Sequence, residues 1–223
     1  MRLQKVQRSA LLRHVHREAY AALVLSGGYE EAGDLGRFRV HAGEVVVHQA
    51  FEGHLDRFLA SGAVILNLPL PGGSRLREGP HRLEDPDAVV QLAEVDESRA
   101  ATLLLGSALP LEPRCADWPD ALARALLEDP DLSLGEWSIS KGLHPWTVSR
   151  GFARIFGLPP ARFRARIRAR RAWTDIRHTA EPLGEIACAL GFSDQSHMTR
   201  SVTGLTGSPP LAWRQSCKSV QDG

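Results

Sequence analysis

The chain has 223 residues, 43% of them hydrophobic, with 27 basic and 26 acidic side chains. That length holds two small domains or one large one, and no window reaches the ~18 consecutive apolar residues that a membrane helix needs. Cys115, Cys188 and Cys217 are widely spaced with no C-x-x-C, which excludes a disulfide framework and a zinc finger; with no signal peptide legible either, a reduced cytoplasm is the expected compartment.

The near-neutral total hides an asymmetry. Residues 131–223 hold 13 of the basic and 7 of the acidic groups, a net of +6; that leaves 14 and 19, a net of −5, in residues 1–130. A basic half points to an anionic partner, and an acidic half to another task.

Residues 20–70 read as strands. YAALVLSGGYEEAGD (20–34) is an apolar run, a Gly27-Gly28 break and a polar continuation, a hairpin pattern with Glu30 and Glu31 on its solvated face. Phe38 and Val40 then alternate with arginines, Gly43 turns the chain, and Val45-Val46-Val47 and AVILNLPLPGG (63–73) follow. Short strands with glycine turns predict a sandwich or small barrel. After Pro71, helices are predicted around 86–94, 98–106 and 118–128, with a proline-rich linker at 110–119. From 131 onward the chain reads as helical, broken at Gly142, Gly157, Pro159-Pro160, Pro182, Gly191 and Gly207.

The helical half contains a duplication. LGEWSISKGL (134–143) matches LGEIACALGF (183–192) at an offset of 49, and SRGFARIFGLPP (149–160) overlays TRSVTGLTGSPP (199–210) at an offset of 50. Each copy is a short helix, a glycine turn and a second helix, predicted over 134–156 and 183–206. Val148, Phe152 and Ile155 take the buried face of the first copy, and Met198, Val202 and Leu205 that of the second. Trp146, Thr147, Ser149, Arg150 and Arg154 then lie outward, as do Gln195, Ser196, His197, Thr199 and Arg200. Such a helix-turn-helix places its second helix in the DNA major groove, where Gln suits adenine, Arg guanine, and Ser or Thr either base or phosphate. An ordinary helical hairpin is the bland reading of one copy; two copies in a basic domain favour double-stranded DNA as the partner. Between them, Arg150 to His178 contains nine arginines and one acid, Asp175. A helix of about 18 residues is about 27 Å long, approaching the ~34 Å that separates successive major grooves.

On these residues the chain resembles the AraC/XylS family of bacterial transcription regulators over roughly 131–215. GFSDQSHMTRSVTGLTGSPPLAWR is similar to the family's second-unit signature, with Met198 where Phe is usual; LGEWSISKGLHPWTVSRGFARIFGLPPARF matches the first. Ser138-Ile139 departs from the usual alanines, Lys141 from an apolar residue, and His144 from a capping Ser. The resemblance implies base contacts at Trp146, Thr147, Gln195 and His197, with Arg150 and Arg200 facing the DNA backbone.

Five of the nine histidines (His14, His16, His41, His48 and His54) lie in residues 14–54. HVH (14–16) with His54 resembles the cupin motif, HxH on one strand and a later His opposite. Both rings of an HxH pair face one side of a strand, and three imidazoles suit Zn, Fe, Ni or Cu. His14, His16 and His54 are the leading candidates for a divalent metal, with His48 next. The carboxylate expected four residues after HxH falls on Tyr20, and no Asn follows His54 at the usual place. A degenerate barrel holding a small organic effector is the competing reading.

The expected fold is α+β and multidomain: a small cupin-like barrel or sandwich with trailing helices over 1–110, a linker and helix over 111–130, and an all-α DNA-binding domain over 131–223. The expected function is a non-enzymatic, sequence-specific transcription regulator modulated through the first domain, with a homodimer compatible and no membrane partner. The alternatives are a metal-dependent cupin enzyme with a helical appendage, and a regulator without any small effector.

Overall fold

The computed structural model describes residues 2–71, 78–112, 117–129 and 131–221, without the side chains of 2 and 216–221. Gly72-Gly73, Cys115, parts of the predicted 111–130 linker, the Cys217 side chain and the last two residues of the predicted 131–223 domain lie outside the described residues. The chain forms two compact units, residues 1–124 with 154–157 and residues 125–153 with 158–223. An antiparallel, sheet-rich N-terminal region is followed by a helical C-terminal one, as the residue patterns predict.

The first region is built on strands β1 (Arg2–Val6), β2 (Ala10–Val15), β3 (Tyr20–Gly33), β4 (Gly36–His41), β5 (Glu44–His48), β6 (Gly53–Pro69), β7 (Gly79–Arg82) and β8 (Leu109–Pro110). The sheet order is β1-β6-β3-β5-β7-β8, with β2 on β6 and β4 on β3. Two long strands carry it: β6 pairs with β1 through its C-terminal half and with β2 through its N-terminal half, whereas β3 pairs with β5 through its N-terminal half and with β4 through its C-terminal half.

β3 corrects the hairpin expected at Gly27-Gly28. The chain runs through both glycines as one strand, with register shifts between Val24 and Ser26 and between Gly27 and Tyr29. Bulges of this kind bend a strand without ending it. Gly27 has φ +72°, and a Cβ there would stand 2.0 Å from the Gly62 carbonyl oxygen of β6. Glycine is required because two backbones approach closely at the bend, so the pair reads as a turn in sequence and acts as a kink in the sheet.

Both faces of the sheet centre are buried. Ala21, Leu23, Val45, Val47, Leu66 and Leu68 pack under helices α1 (Pro86–Ala93) and α2 (Glu97–Ser107), through Val89, Ala93, Ala100 and Leu104. Ala22, Val24, Val46 and Ile65 face the other way, against Tyr29, Phe38, Val40 and Phe58. This explains the uninterrupted valine run: a strand covered on both sides has no solvent face to mark with polar residues. Asp85 and Asp96 cap the two helices, accepting from Ala88 N (2.9 Å) and Arg99 N (3.0 Å). The next helix, α3 (Trp118–Glu128), presents Asp120 to Arg37, which donates to both carboxylate oxygens at 3.0 and 2.8 Å.

The helical region contains α4 (Leu134–Ser140), α5 (Pro145–Phe156), α6 (Pro160–His178), α7 (Leu183–Ala189), α8 (Gln195–Thr206) and α9 (Pro210–Gln221). The long helix α6 packs on α7, α8 and α9. Its buried stripe is Phe163, Ile167, Ala169, Ala172, Trp173 and Ile176. The duplication extends beyond the expected helix pairs to three helices, since Pro160 and Pro210 open α6 and α9 at the same offset of 50.

The predicted buried face is corrected by one position in each copy. Ile155 and Leu205 are half-buried, whereas Phe156 and Thr206 are buried. The core spacing is thus i, i+4, i+8: Val148, Phe152, Phe156 in α5 and Met198, Val202, Thr206 in α8. At about 100° per residue, i and i+8 each lie about 40° from i+4, one on either side, whereas i+7 lies about 60° from it, so a stripe centred on i+4 takes in the eighth position before the seventh.

Candidate nucleic-acid interface and a buried histidine–carboxylate cluster

The two copies make their turns with the same hydrogen bonds. Gly142 and Gly191 are left-handed, at φ +64° and +70°. Leu143 N donates to Ser138 O and Phe192 N to Ala187 O, each at 2.9 Å, and Gly142 and Gly191 N donate three residues back at 3.0 Å. This six-to-one closure satisfies the terminal carbonyls of α4 and α7 and reverses the chain. The departures in the first copy are accommodated locally. Ser138 is fully buried, but its hydroxyl donates to Gly135 O at 2.8 Å. Ile139 is 76% exposed. His144 takes the capping place, its Nδ1 accepting from Trp146 N at 3.2 Å. In the second copy Asp194 does so, its carboxylate accepting from His197 N at 2.6 Å.

From those caps α5 and α8 each run 12 residues. Trp146, Thr147, Ser149, Arg150 and Arg154 are all exposed on α5; on α8, Gln195, Ser196 and Arg200 are exposed while His197 and Thr199 are half-buried. Trp146 is 62% exposed although indole is among the most apolar side chains, and the Arg150 guanidinium stands over its ring at 4.6 Å. His197 is held from two sides, by Ser193 Oγ at 3.1 Å from its Nδ1 and by the edge of Phe192. The leading edges are thus unalike: an indole–guanidinium stack in one copy, an amide, a hydroxyl and an imidazole in the other.

The arginines of α6 do more than supply a positive field. Arg168 pairs with Asp131 at 2.7 Å, Arg171 donates to Leu127 O, and Arg177 lies over Trp173 at 4.8 Å. These contacts tie α6 to its neighbours, and the count of arginines alone carried no sign of them.

In the first region, the sheet brings four of the predicted histidines together. His14 and His54 are direct cross-strand partners on β2 and β6, and Tyr20 faces His48 across β3 and β5. Ring centroids of His14–His54 and His48–His54 are 4.4 Å apart, and of His14–His16 4.9 Å. His41 stands apart, outside both groupings of metal-competent donors. A cavity of about 750 Å³ opens beside the cluster, walled by Leu11, Ala22, Tyr29, Phe58 and Ile65. That volume falls within the range of small-molecule sites.

Glu31 corrects the expected solvated pair. Because β3 continues through its glycines, strand alternation sends Glu30 outward, against Arg37 and Arg39, and Glu31 inward, where it is fully buried. Its Oε2 lies 3.5 Å from His48 Nε2. Asp56, its cross-strand partner on β6, is buried as well. Burial, reinforced by Asp56 and Glu52, raises the Glu31 carboxyl well above its ordinary value, and burial pushes Asp56 up to about 6. Burial and the surrounding imidazoles of His48, His14 and His16 lower the His54 pKa, keeping its ring neutral. The carboxylate that the HxH spacing fails to provide at Tyr20 therefore comes from Glu31, while the Tyr20 hydroxyl sits 3.4 Å from His54 Nε2. The signal in sequence was the adjacent pair itself: in an uninterrupted β3, Glu30 and Glu31 must face opposite sides of the sheet.

Residues 137–216 match the family model described as a helix-turn-helix domain. Among solved structures, the C-terminal domain of AraT, a response regulator from Geobacillus stearothermophilus, is similar at 20% identity, covering 46% of this chain and 88% of that one, with TM-score 0.43. ToxT from Vibrio cholerae, bound to unsaturated fatty acid, is similar at 10% identity over 95% of this chain and 92% of its own, with TM-score 0.44. The DNA-binding domain of AdpA, in complex with a target DNA, is similar at 17% identity over 48% of this chain and 98% of its own, also at 0.44. No curated protein matches the sequence. The duplicated, exposed reading helices and the matched family model define a DNA-binding transcription regulator. Its two units are of the helix-turn-helix kind that the matched model describes. No helix among the described residues is long and apolar enough to cross a membrane.

Proposed function

We propose that this regulator reads two unlike half-sites in double-stranded DNA, one with each copy. The observation that supports it is the pair of equally framed helices with unlike exposed leading edges. Trp146 and Thr147 on α5 and Gln195 and His197 on α8 take the base edges. The Trp146 ring suits a thymine methyl and Gln195 suits adenine. Ser149, Arg150, Arg154, Ser196, Thr199 and Arg200 take phosphates, which fix register without carrying sequence. The first region is a sensor, its cavity holding a small-molecule effector; it performs no catalysis, and the protein works in the cytoplasm. One chain carries both reading heads, so a single copy occupies one bipartite site, and a homodimer would double the site.

Selection of bound DNA from a random pool tests this reading, and the length of the selected site separates monomer from dimer. Gln195→Ala is expected to relax preference at one position, worth about 1–3 kcal/mol of discrimination. Arg150→Ala and Arg200→Ala are expected to weaken all sequences alike and to lower the salt slope by about 1 each. Selected sites indifferent to both Gln195 and His197 would sink the assignment of reading heads.

A further inference from the structure

The buried cluster offers two overlapping donor sets that share His54. One is His14, His16 and His54, the set the HxH motif implies; the other is Glu31, His48 and His54, which only the fold brings together. In each, the donor atoms all lie within 4.8 Å of one another. The second set is the better built. All three of its members are buried, at 0, 1 and 2% exposure. Two ligands on one tetrahedral ion stand about 3.4 Å apart, and Glu31 Oε2 and His48 Nε2 are 3.5 Å apart.

Two further observations point to a cation rather than a hydrogen-bonded core. Neither carboxylate oxygen of Glu31 has a hydrogen-bond partner among the described residues, nor does His54 Nδ1. A buried carboxylate that is neither solvated nor hydrogen-bonded is costly unless a positive charge meets it. The other side of the His48 ring faces a second carboxylate, with Nδ1 in ion-pair reach of Glu52 Oε2 at 3.5 Å, though not hydrogen-bonded to it. A carboxylate behind a histidine sets the tautomer that leaves the opposite nitrogen free to bind a metal.

We infer that Glu31, His48 and His54 bind a divalent first-row transition ion, with Glu52 orienting His48 and with His14 and His16 on the open side toward the cavity. Imidazole with a single carboxylate, and no thiolate, suits Zn²⁺, Fe²⁺, Co²⁺ or Ni²⁺ and disfavours the all-oxygen ions Mg²⁺ and Ca²⁺. The ion would lie at the inner end of the 750 Å³ cavity, where an effector's anionic or carbonyl oxygen could reach it. This rests on the sensor reading only for its regulatory consequence. The ion is read by metal content and DNA recognition by the selected pool, so either can fail without the other.

The experiment uses the full chain without a polyhistidine tag. It is loaded separately with Zn²⁺ and Co²⁺, dialysed, and assayed for bound metal and for the visible spectrum of the cobalt form. One ion per chain is expected, with absorption of a nitrogen/oxygen site. Glu31→Gln, nearly isosteric, should lose most of the metal and alter the cobalt spectrum while circular dichroism stays unchanged. Glu52→Gln should weaken binding roughly 10- to 100-fold, and His41→Ala should bind as the parent does. The inference is overturned if the parent protein binds neither ion. It is equally overturned if Glu31→Gln binds normally while His14→Ala/His16→Ala does not, which would leave a tri-histidine site. Should His54→Ala fail to fold, Glu31→Gln and Glu52→Gln decide the matter alone.

Discussion

The two helix-turn-helix copies share a frame and differ in nearly everything the frame leaves free. Residues 151–160 and 201–210 have the same pattern of burial at every position, and both turns close on a left-handed glycine with the same backbone bonds. Inside the frame the chemistry diverges. Phe152 packs edge-on against Phe163 in the first copy. In the second, Trp213, at the place of Phe163, donates its indole N–H to Thr206 Oγ1 at 2.9 Å. The Thr206 hydroxyl lies in turn 2.9 Å from Val202 O, so a buried polar side chain is fully engaged. An aromatic core in one copy is thus matched by a mixed, hydrogen-bonded core in the other. What must agree between duplicates is where the backbone bends and which side is dry, not which atoms fill it.

That contrast can be broken first at the cores. Phe152→Ala is expected to destabilise by about 3–5 kcal/mol and Met198→Ala by about 2–5 kcal/mol, both side chains being fully buried. Urea unfolding followed through the helical signal measures both; losses under about 1 kcal/mol at either site would contradict the shared core.

The turns come next. Alanine in a left-handed position costs about 1–2 kcal/mol, so Gly142→Ala and Gly191→Ala should both destabilise. They should not do so equally. A Cβ at Gly142 meets nothing, whereas at Gly191 it would stand 3.3 Å from Asp131 Oδ2, in the carboxylate paired with Arg168. A larger loss at Gly191 is the expected outcome of the same unfolding measurement, and a larger loss at Gly142 would contradict it.

The caps give the smallest effect and the sharpest contrast. The backbone N–H of His197 holds the Asp194 carboxyl below its ordinary value. A carboxylate whose folded pKa is depressed stabilises fully above its unfolded value of about 3.9 and loses that contribution as pH falls through the folded one. Acid titration followed by helix signal should therefore show a loss below about pH 4 that Asp194→Ala removes. An Asp194→Ala profile identical to the parent's would show that the cap is not formed.

The helical region was legible because its information is local. Glycine at 142 and 191, proline at 159–160 and 209–210, and a repeat offset of 49 to 50 mark helix ends whatever the rest of the chain does. The error of one position, Ile155 for Phe156, came from choosing among neighbouring apolar residues on one helical edge. His144 as a cap was not foreseen because an imidazole accepts there only in the tautomer that leaves Nδ1 unprotonated.

The sheet region was legible in its strands and not in their joining. By itself the sequence determined the β-rich first part, the duplicated helix-turn-helix units and the gathering of histidines near the N-terminus. Only the tertiary structure decided that Gly27-Gly28 is a bend rather than a turn, because that depends on β6 crossing at Gly62, 35 residues downstream in the numbering. One consequence carries the chemistry. A strand that continues alternates its side chains without interruption, so Glu31 is driven into the interior beside His48 and His54, where a hairpin would have left it in water.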